Sequence, residues 1–213
     1  NLPGRILCLH SSLKSHGRVL GGADTIIDSF LELGCTLLVP AFSFASQVNP
    51  PAGGDYRQNG DATAETQDKP WPKAGYDPED HRSIDASMGA IPKAVLERAE
   101  SVRGEHLLNA LAAIGPLAAD VIARQTQMDV YGPYKKAYES HNASLLLLGV
   151  PLTRATPLHL AEEMAGRRLF RRWALDRDLI LREVAIGSCS EGFERFTPYL
   201  KETEQAITVG QSL

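Results

Sequence analysis

The first forty residues constrain the fold most strongly, because they read as a strand, a loop, a helix and a second strand. Residues 5–9 form a short, mostly apolar run that is typical of a buried strand. A helix is predicted over residues 23–33, and Gly34 is well placed to end it. Residues 35–41 then read as a second buried strand. Strands joined through a helix in this order are expected to lie parallel, with a right-handed crossover, which predicts an α/β fold.

A later strand-to-helix unit carries the best candidate for a catalytic base. Residues 143–150 include four consecutive leucines and are the strongest candidate for a central strand. They lead into a predicted helix with Thr156 as N-cap and Pro157 at the first helical position, which places His159 in the first turn. There the helix dipole disfavours the imidazolium form, and neutral imidazole is what a general base requires near pH 7.

Two carboxylates follow His159 on the same predicted helix. Glu162 and Glu163 lie three and four residues further on, and either could hydrogen-bond the ring, fix its tautomer and raise its pKa. A surface helix that happens to carry a histidine and two glutamates is the alternative interpretation. His159 and Ser11 each follow a predicted buried strand, and ligands collect at the carboxyl ends of strands in open α/β sheets. We therefore expect both residues to belong to one site.

The loop after the first strand suits a phosphate-bearing ligand. Residues 10–22 contain the cations Lys14 and Arg18, several glycines and free backbone amides, features that favour an oligophosphate or a pantetheine chain. The spacing matches neither the P-loop nor the dinucleotide-binding pattern, and Asp24 would repel a phosphate at the helix end itself. In the alternative interpretation the glycine pair is only a turn, and Asp24 or Thr25 caps the next helix.

A long segment of weak periodicity, about residues 43–86, reads as a loop insertion. Residues 42–86 hold eight acids against four cations, and turn dipeptides interrupt them repeatedly. Long loops in compact domains are usually functional. We expect a lid that attracts a cationic amine, with Asp77, Glu79 and Asp80 as substrate-binding carboxylates; a solvated loop is the alternative.

Three further features have weaker implications. Residues 102–115 predict two short strand-like pieces around His106 and Asn109, either of which could line a site, although a lone histidine beside glycine is more often structural. Residues 167–175 and 179–186 predict a C-terminal antiparallel hairpin. Cys189 stands among turn residues without a predicted histidine partner and is interpreted as a structural thiol.

Composition limits the class of protein. A chain of 213 residues, with 43% hydrophobic and 23% charged residues, fits one globular domain. The three cysteines show no metal-ligand spacing, so we expect a reducing, cytoplasmic setting and no metal. No apolar run is long enough to span a bilayer, so no membrane association is expected. The net charge of −4 argues against a nucleic-acid partner and is compatible with a small cationic amine; the oligomeric state is not predicted.

Several motifs follow one another along nearly the whole chain: HSSLKS at 10–15, GGADT at 21–25, SMGAIP at 87–92, NALAAIGP at 109–116, LLLGV at 146–150, TPLHLAE at 156–162 and CSEGF at 189–193. In this order they resemble the aminoglycoside 3-N-acetyltransferase family, the antibiotic N-acetyltransferases that use acetyl-CoA. Two departures stand out. This chain has His106-Leu107 where family members tend to have His-Pro, and its loop insertion matches no aminoglycoside-binding pattern.

The resemblance implies a three-layer α/β/α sandwich with a largely parallel central sheet and the C-terminal antiparallel hairpin. It implies one catalytic domain over residues 1–213; the family usually has a further N-terminal helix and C-terminal strand, so a trimmed form is one interpretation. It also implies His159 as general base, and we expect Glu162 to orient it. The residues expected to bind CoA are His10, Ser11, Ser12, Leu13, Lys14, Ser15, Val19, Gly21, Gly22, Ser87, Met88, His106 and Asn109.

The expected activity is direct acetyl transfer from acetyl-CoA to the 3-amino group of an aminoglycoside. Another small amine metabolite is the alternative acceptor. Two competing interpretations are a CoA-binding protein without turnover and a Ser-His-Glu hydrolase that uses Ser11. The hydrolase is disfavoured because the chain lacks the G-x-S-x-G nucleophile elbow.

Overall fold

The computed structural model describes residues 2–51, 70–187 and 189–200 of the chain. Within these ranges the strands are β1 (Ile6–Ser11), β2 (Thr36–Pro40), β3 (Gln47–Val48), β4 (Val102–Arg103), β5 (Leu111–Ile114), β6 (Ala143–Leu148), β7 (Phe170–Leu175) and β8 (Leu181–Ile186). The α-helices are α1 (Gly22–Glu32), α2 (Ala90–Leu96), α3 (Ala118–Ile122), α4 (Gly132–Glu139), α5 (Pro157–Met164) and α6 (Thr197–Leu200). None of the described helices is both long and apolar enough to cross a bilayer.

The larger sheet has the strand order β4-β5-β2-β1-β6. β1 pairs in parallel with β2, as the predicted strand-helix-strand unit requires, and it also pairs in parallel with β6. β5 runs antiparallel to β2 and to β4. The α/β class is therefore confirmed, and the sheet is mixed, with β5 reversed against its neighbours.

Alternation along the strands divides the core into two clusters. Ile6 and Cys8 of β1 face a cluster to which α3, α4 and α5 contribute, whereas Leu7 and Leu9 face a cluster to which α1 and α2 contribute. Successive side chains on a strand point to opposite faces, so β1 needs an almost fully apolar sequence. Its burial pattern agrees, because the first five residues of the strand are buried.

The prediction of a central strand at residues 143–150 is wrong in the described part of the chain. β6 stands at the edge of the sheet order, and its residues are only partly buried, with Leu145 40% exposed. A run of leucines indicates an apolar environment but does not distinguish an inner strand from an edge strand.

A second, three-stranded antiparallel sheet has the order β3-β7-β8 and confirms the predicted C-terminal hairpin. β3 comes from the segment interpreted as a lid. Tyr76, in the same segment, is buried, and its hydroxyl donates to the carbonyl of Gly104 at 2.7 Å. Residues 70–86 are thus anchored on the protein rather than structureless, while residues 52–69 of the predicted lid lie outside the described residues.

Candidate active site

A cleft of about 620 Å³ opens at the carboxyl ends of the parallel strands. His10 and Ser11 end β1, Pro40 ends β2, and Gly149 follows β6, so one edge of the sheet supplies the cleft floor. Asn109 joins them because β5 is antiparallel and begins where β2 ends. This is the edge at which ligands collect in open α/β sheets, and the volume suits a small-molecule site.

Nine of the residues predicted from the sequence meet in this cleft. They are His10, Ser11, Ser12, Leu13, Lys14, Ser87, Met88, Asn109 and His159. The predicted meeting of Ser11 with His159 is therefore observed. Sequence patterns did not predict several further lining residues, among them Phe42, Phe44, Tyr131, Thr153, Arg154, Gly187 and Ser190.

His159 is paired with a carboxylate on its own helix. Its Nδ1 lies 2.8 Å from Oε2 of Glu162. An ionised carboxylate can only accept, so Nδ1 donates and the neutral ring keeps Nε2 unprotonated, the form that a general base needs. Glu162 also forms an ion pair with Arg167, whereas Glu163 pairs with Lys135 at 3.1 Å. The geometry thus selects Glu162 over Glu163 as the partner of the ring.

The start of α5 differs from the predicted cap. Pro157 stands in the first turn as expected, but Thr156 is already in the helical region and its side chain makes no capping hydrogen bond. Instead, the N–H of His159 donates to the carbonyl of Thr156 at 2.9 Å, a tight 3₁₀-like turn that satisfies one of the otherwise unpaired donors. The position of His159 was therefore predicted correctly, for a partly wrong local reason.

Aromatic rings and a glycine fix the imidazole in place. The His159 ring stacks on Tyr131, with centroids 6.0 Å apart and planes at 14°, and Phe193 lies 4.7 Å away, centroid to centroid. A Cβ added at Gly187 would collide with the Tyr131 hydroxyl and lie 2.8 Å from Cγ of His159. Only glycine lets the backbone approach this closely, so residue 187 is part of the support of the ring.

Burial sets the protonation state of His159. The residue is 9% exposed, and desolvation lowers its pKa below the usual value. The hydrogen bond and the negative charge of Glu162 raise the pKa in part, and Arg167 lowers it further. The ring is neutral near pH 7, as predicted, and burial is the largest cause.

The cleft carries positive charge. Lys14 and Arg154 line it, and none of its described lining residues is an aspartate or a glutamate. Both cations are exposed. A cleft of this kind attracts an anionic ligand. Over the ranges that the structure describes, His, Cys, Asp and Glu side chains form no group of three that could hold a metal ion.

Four residues after β1 that were predicted to bind CoA lie outside the lining of the cleft. Ser15 donates its hydroxyl to the carbonyl of Gly149 at 2.7 Å, so it fixes the loop after β6. Gly21 has a φ of 75° and is the N-cap of α1, and Gly22 has a φ of 64°, so the glycine pair forms a turn that Val19 precedes. Neither Asp24 nor Thr25 caps the helix, because Asp24 pairs with Arg98 and Thr25 bonds the carbonyl of Leu20.

His106 lies outside the cleft, contrary to its expected place in the CoA site. It is fully buried and is not among the residues that line the cleft. Its Nε2 lies 2.8 Å from the carbonyl of Ala185, and its Nδ1 accepts from the N–H groups of Leu108 and Asn109. Both ring nitrogens are used, which leaves none for a ligand and makes His106 a structural histidine.

The three expected substrate-binding carboxylates, Asp77, Glu79 and Asp80, are outside the cleft lining. Asp80 caps a short 3₁₀ helix and pairs with Arg82 at 3.1 Å, which lowers the pKa of its carboxyl group. Asp77 accepts from the N–H of Glu79. Turn chemistry explains these aspartates, because aspartate bonds nearby backbone N–H groups readily.

Comparison with known proteins identifies the family of enzymes that the chain resembles. A family model described as aminoglycoside 3-N-acetyltransferase matches residues 8–212. Similar curated proteins include aminoglycoside N(3)-acetyltransferase IX of Micromonospora chalcea, 29% identical over 78% of this chain, and aminoglycoside N(3)-acetyltransferase III of Serratia marcescens, 30% identical over 76% of it. The chain spans only 58% and 59% of the length of these two relatives.

Solved structures of the same kind share the fold. The apoenzyme of aminoglycoside acetyltransferase AAC(3)-IVa aligns with 99% of this chain and 75% of its own, at a TM-score of 0.73 and 25% identity. A histidine-to-alanine mutant of that enzyme, in complex with gentamicin, aligns over the same shares at a TM-score of 0.72 and 25% identity. With a family match over almost its whole length and this shared fold, the chain belongs to the aminoglycoside 3-N-acetyltransferase family.

Proposed function

We propose that the protein transfers the acetyl group of acetyl-CoA to the 3-amino group of an aminoglycoside. The observation that carries the proposal is His159, which lines a cationic cleft and is hydrogen-bonded to Glu162 behind it. A neutral, oriented imidazole provides a base, and Lys14 and Arg154 provide charge for a phosphate-bearing donor. The names of the relatives support the same activity.

Direct transfer requires four events around one base: attack by the amine, removal of its proton, cleavage of the C–S bond and protonation of the thiolate. The neutral amine nitrogen attacks the thioester carbonyl, and Nε2 of His159 takes the proton that the nitrogen loses. The C–S bond then breaks, and the thiolate of CoA takes the proton from the imidazolium, giving CoA and the amide. Glu162 holds the ring in the tautomer with Nδ1–H and stabilises the transient positive charge. No covalent enzyme intermediate is needed.

Lys14 and Arg154 favour binding of the negatively charged acyl donor. A positively charged acceptor must therefore be bound by other groups. Aminoglycosides are polycations, and the described lining of the cleft offers them no carboxylate. A smaller metabolite amine is the second candidate, because Lys14 and Arg154 repel a polycation more strongly than an amine of lower charge. The named activity of the relatives supports the aminoglycoside as the first candidate.

An acetyl-transfer assay with a panel of amines tests the proposal. The full chain is incubated with acetyl-CoA and an aminoglycoside, a small diamine or no amine, and CoA release is followed by chromatography. We expect release that depends on the aminoglycoside, with the acetyl group located on the 3-amino group by NMR. Preference for the diamine supports the second candidate. Equal release without amine indicates a hydrolase, and CoA binding without release in any arm indicates a binding protein.

A further inference from the structure

His10 is a buried histidine without a hydrogen-bond partner for one ring nitrogen. It is 4% exposed, and among the residues that the structure describes no donor or acceptor bonds its Nε2. His106 is buried to a similar degree, yet both of its ring nitrogens are used. Burial of an unpaired polar atom is costly, so the difference between the two histidines needs a specific explanation.

The position of His10 on β1 directs it to the candidate site. Ile6 and Cys8 lie on the face of the sheet that packs against α3, α4 and α5, and His10 follows Cys8 by two residues on the same face. His159 belongs to α5, and both histidines line the one cleft. Burial lowers the pKa of His10 to about 4, so the ring is neutral near pH 7 and one nitrogen carries a hydrogen.

Asn109 supplies a second unpaired atom on the same wall. Its Oδ1 is buried and has no partner among the described residues, and the residue lines the cleft. Its backbone is fixed on both sides, because its N–H donates to Nδ1 of His106 at 2.9 Å and its carbonyl accepts from Gln125 at 3.0 Å. The fold thus fixes the backbone of Asn109, while the oxygen of its side chain has no partner among the described residues.

We propose that His10 donates its Nε2–H to a carbonyl oxygen of the acyl donor, and that Oδ1 of Asn109 accepts from an amide N–H of the same molecule. The acyl arm of an acyl-CoA presents a thioester carbonyl and secondary amides, which complement one unpaired donor and one unpaired acceptor. The inference rests on the proposed function for the identity of the ligand. It makes His10 a second functional histidine, a hydrogen-bond donor rather than a base.

Two substitutions of His10 separate the functional role from a structural one. His10→Phe keeps the ring shape and removes the donor, whereas His10→Gln keeps an N–H donor. CoA binding is measured by calorimetry and acetyl transfer at saturating amine. If the carbonyl is that of an amide, His10→Phe raises the Kd of CoA by about three- to tenfold. If it is the thioester carbonyl, the Kd is unchanged and kcat falls by about 10²–10³-fold.

His10→Gln tests whether a restored N–H donor recovers the loss, and Asn109→Leu tests the proposed hydrogen-bond acceptor. His10→Gln recovers most of either loss, and Asn109→Leu, which has nearly the same shape, raises the Kd of CoA. If His10→Phe matches the wild type in both Kd and kcat, the inference is overturned while the proposed function stands. A wild-type chain that neither binds CoA nor acetylates any amine overturns the proposed function, and the ligand assigned to His10 with it.

The ligand-free protein provides the control for folding. His10→Phe removes an unpaired buried atom, so its Tm without ligand should not fall below that of the wild type. His106→Phe, the matched control, breaks the bonds to Ala185 and Asn109 and should lower the Tm clearly. An equal loss of Tm in the two variants would assign His10 a structural role and overturn the inference.

Discussion

The lack of a side chain at Gly187 allows the backbone to pack against the ring of His159. Because an added Cβ would lie 2.8 Å from Cγ of His159, Gly187→Ala should displace the ring or the backbone. We expect kcat to fall by up to about 10²-fold, since small displacements of catalytic groups are costly. The stability should fall by about 1–3 kcal/mol from overpacking. Gly192→Ala is the matched control, because nothing lies within 4 Å of a Cβ at that position.

The carboxylate partner of His159 gives a prediction about pH. Glu162 raises the pKa of His159 through its hydrogen bond and its charge, against the larger effect of burial. Glu162→Gln should therefore lower this pKa. The acidic limb of the kcat profile, where protonation removes the base, should move to lower pH, while kcat on the plateau falls moderately. A limb that stays in place or moves upward would show that His159 does not titrate as the base.

At the scale of elements, the loop between β6 and α5 adds a cation that sequence patterns did not predict. Arg154 lines the cleft beside Lys14 and is exposed. Arg154→Gln should raise the KM of acetyl-CoA, more strongly at low salt, and leave the KM of acetyl-pantetheine, which lacks the nucleotide phosphates, nearly unchanged.

Arg18→Gln is the control for this experiment. Arg18 belongs to the loop after β1 and is exposed, but it is not among the residues that line the cleft. An equal rise of the two KM values in Arg154→Gln would indicate a general disturbance of the cleft. An equal effect of Arg18→Gln would indicate long-range attraction rather than contact.

The elements that could be predicted from sequence are those with local causes. Apolar runs and glycine punctuation predicted β1, α1 and β2, and the strand-to-helix order placed Ser11 and His159 at one edge of the sheet. The excess of acids in residues 42–86 misled the interpretation of Asp80, because a capping aspartate and a ligand-binding aspartate look alike in a sequence. The antiparallel direction of β5, which brings Asn109 to the cleft, depends on long-range pairing that no local pattern encodes.

The residues that pack around the ring of His159 could not be predicted from the sequence, because their contacts are also long-range. Tyr131 lies more than fifty residues before Gly187 and Phe193 in the chain and meets them only in the folded protein. A glycine that permits close approach looks like any turn glycine in one sequence. His10 and His106 are similarly buried, but only His10 leaves its Nε2 without a partner among the described residues, and this difference likewise emerges only in three dimensions.

At the scale of the whole molecule, His10 and His106, two of the three buried histidines among the described residues, predict how stability depends on pH. Burial lowers the pKa of both His10 and His106 to about 4 from a usual value of 6.5. The unfolded chain therefore binds more protons between these values, and the free energy of unfolding falls as the pH falls through that window. Between pH 7 and pH 5 each histidine should remove about 2 kcal/mol.

Urea unfolding at the two pH values measures this effect. His10→Phe should show about 2 kcal/mol less pH-dependent loss than the wild type, because one of the two histidines no longer titrates. Other groups that titrate in the window are common to both proteins and cancel in the difference. An unchanged loss would mean that His10 is protonated in the folded protein.

The central claim, that His159 is the base of a direct acetyl transfer, is tested most directly by kcat in His159→Gln. Glutamine preserves much of the packing between Tyr131 and Phe193, which an alanine would lose, but it cannot take a proton. With saturating acetyl-CoA and the preferred amine, we expect kcat to fall by about 10²–10⁴-fold while the Kd of CoA and the Tm stay near those of the wild type. A kcat close to the wild-type value between pH 6 and pH 9 would contradict the account.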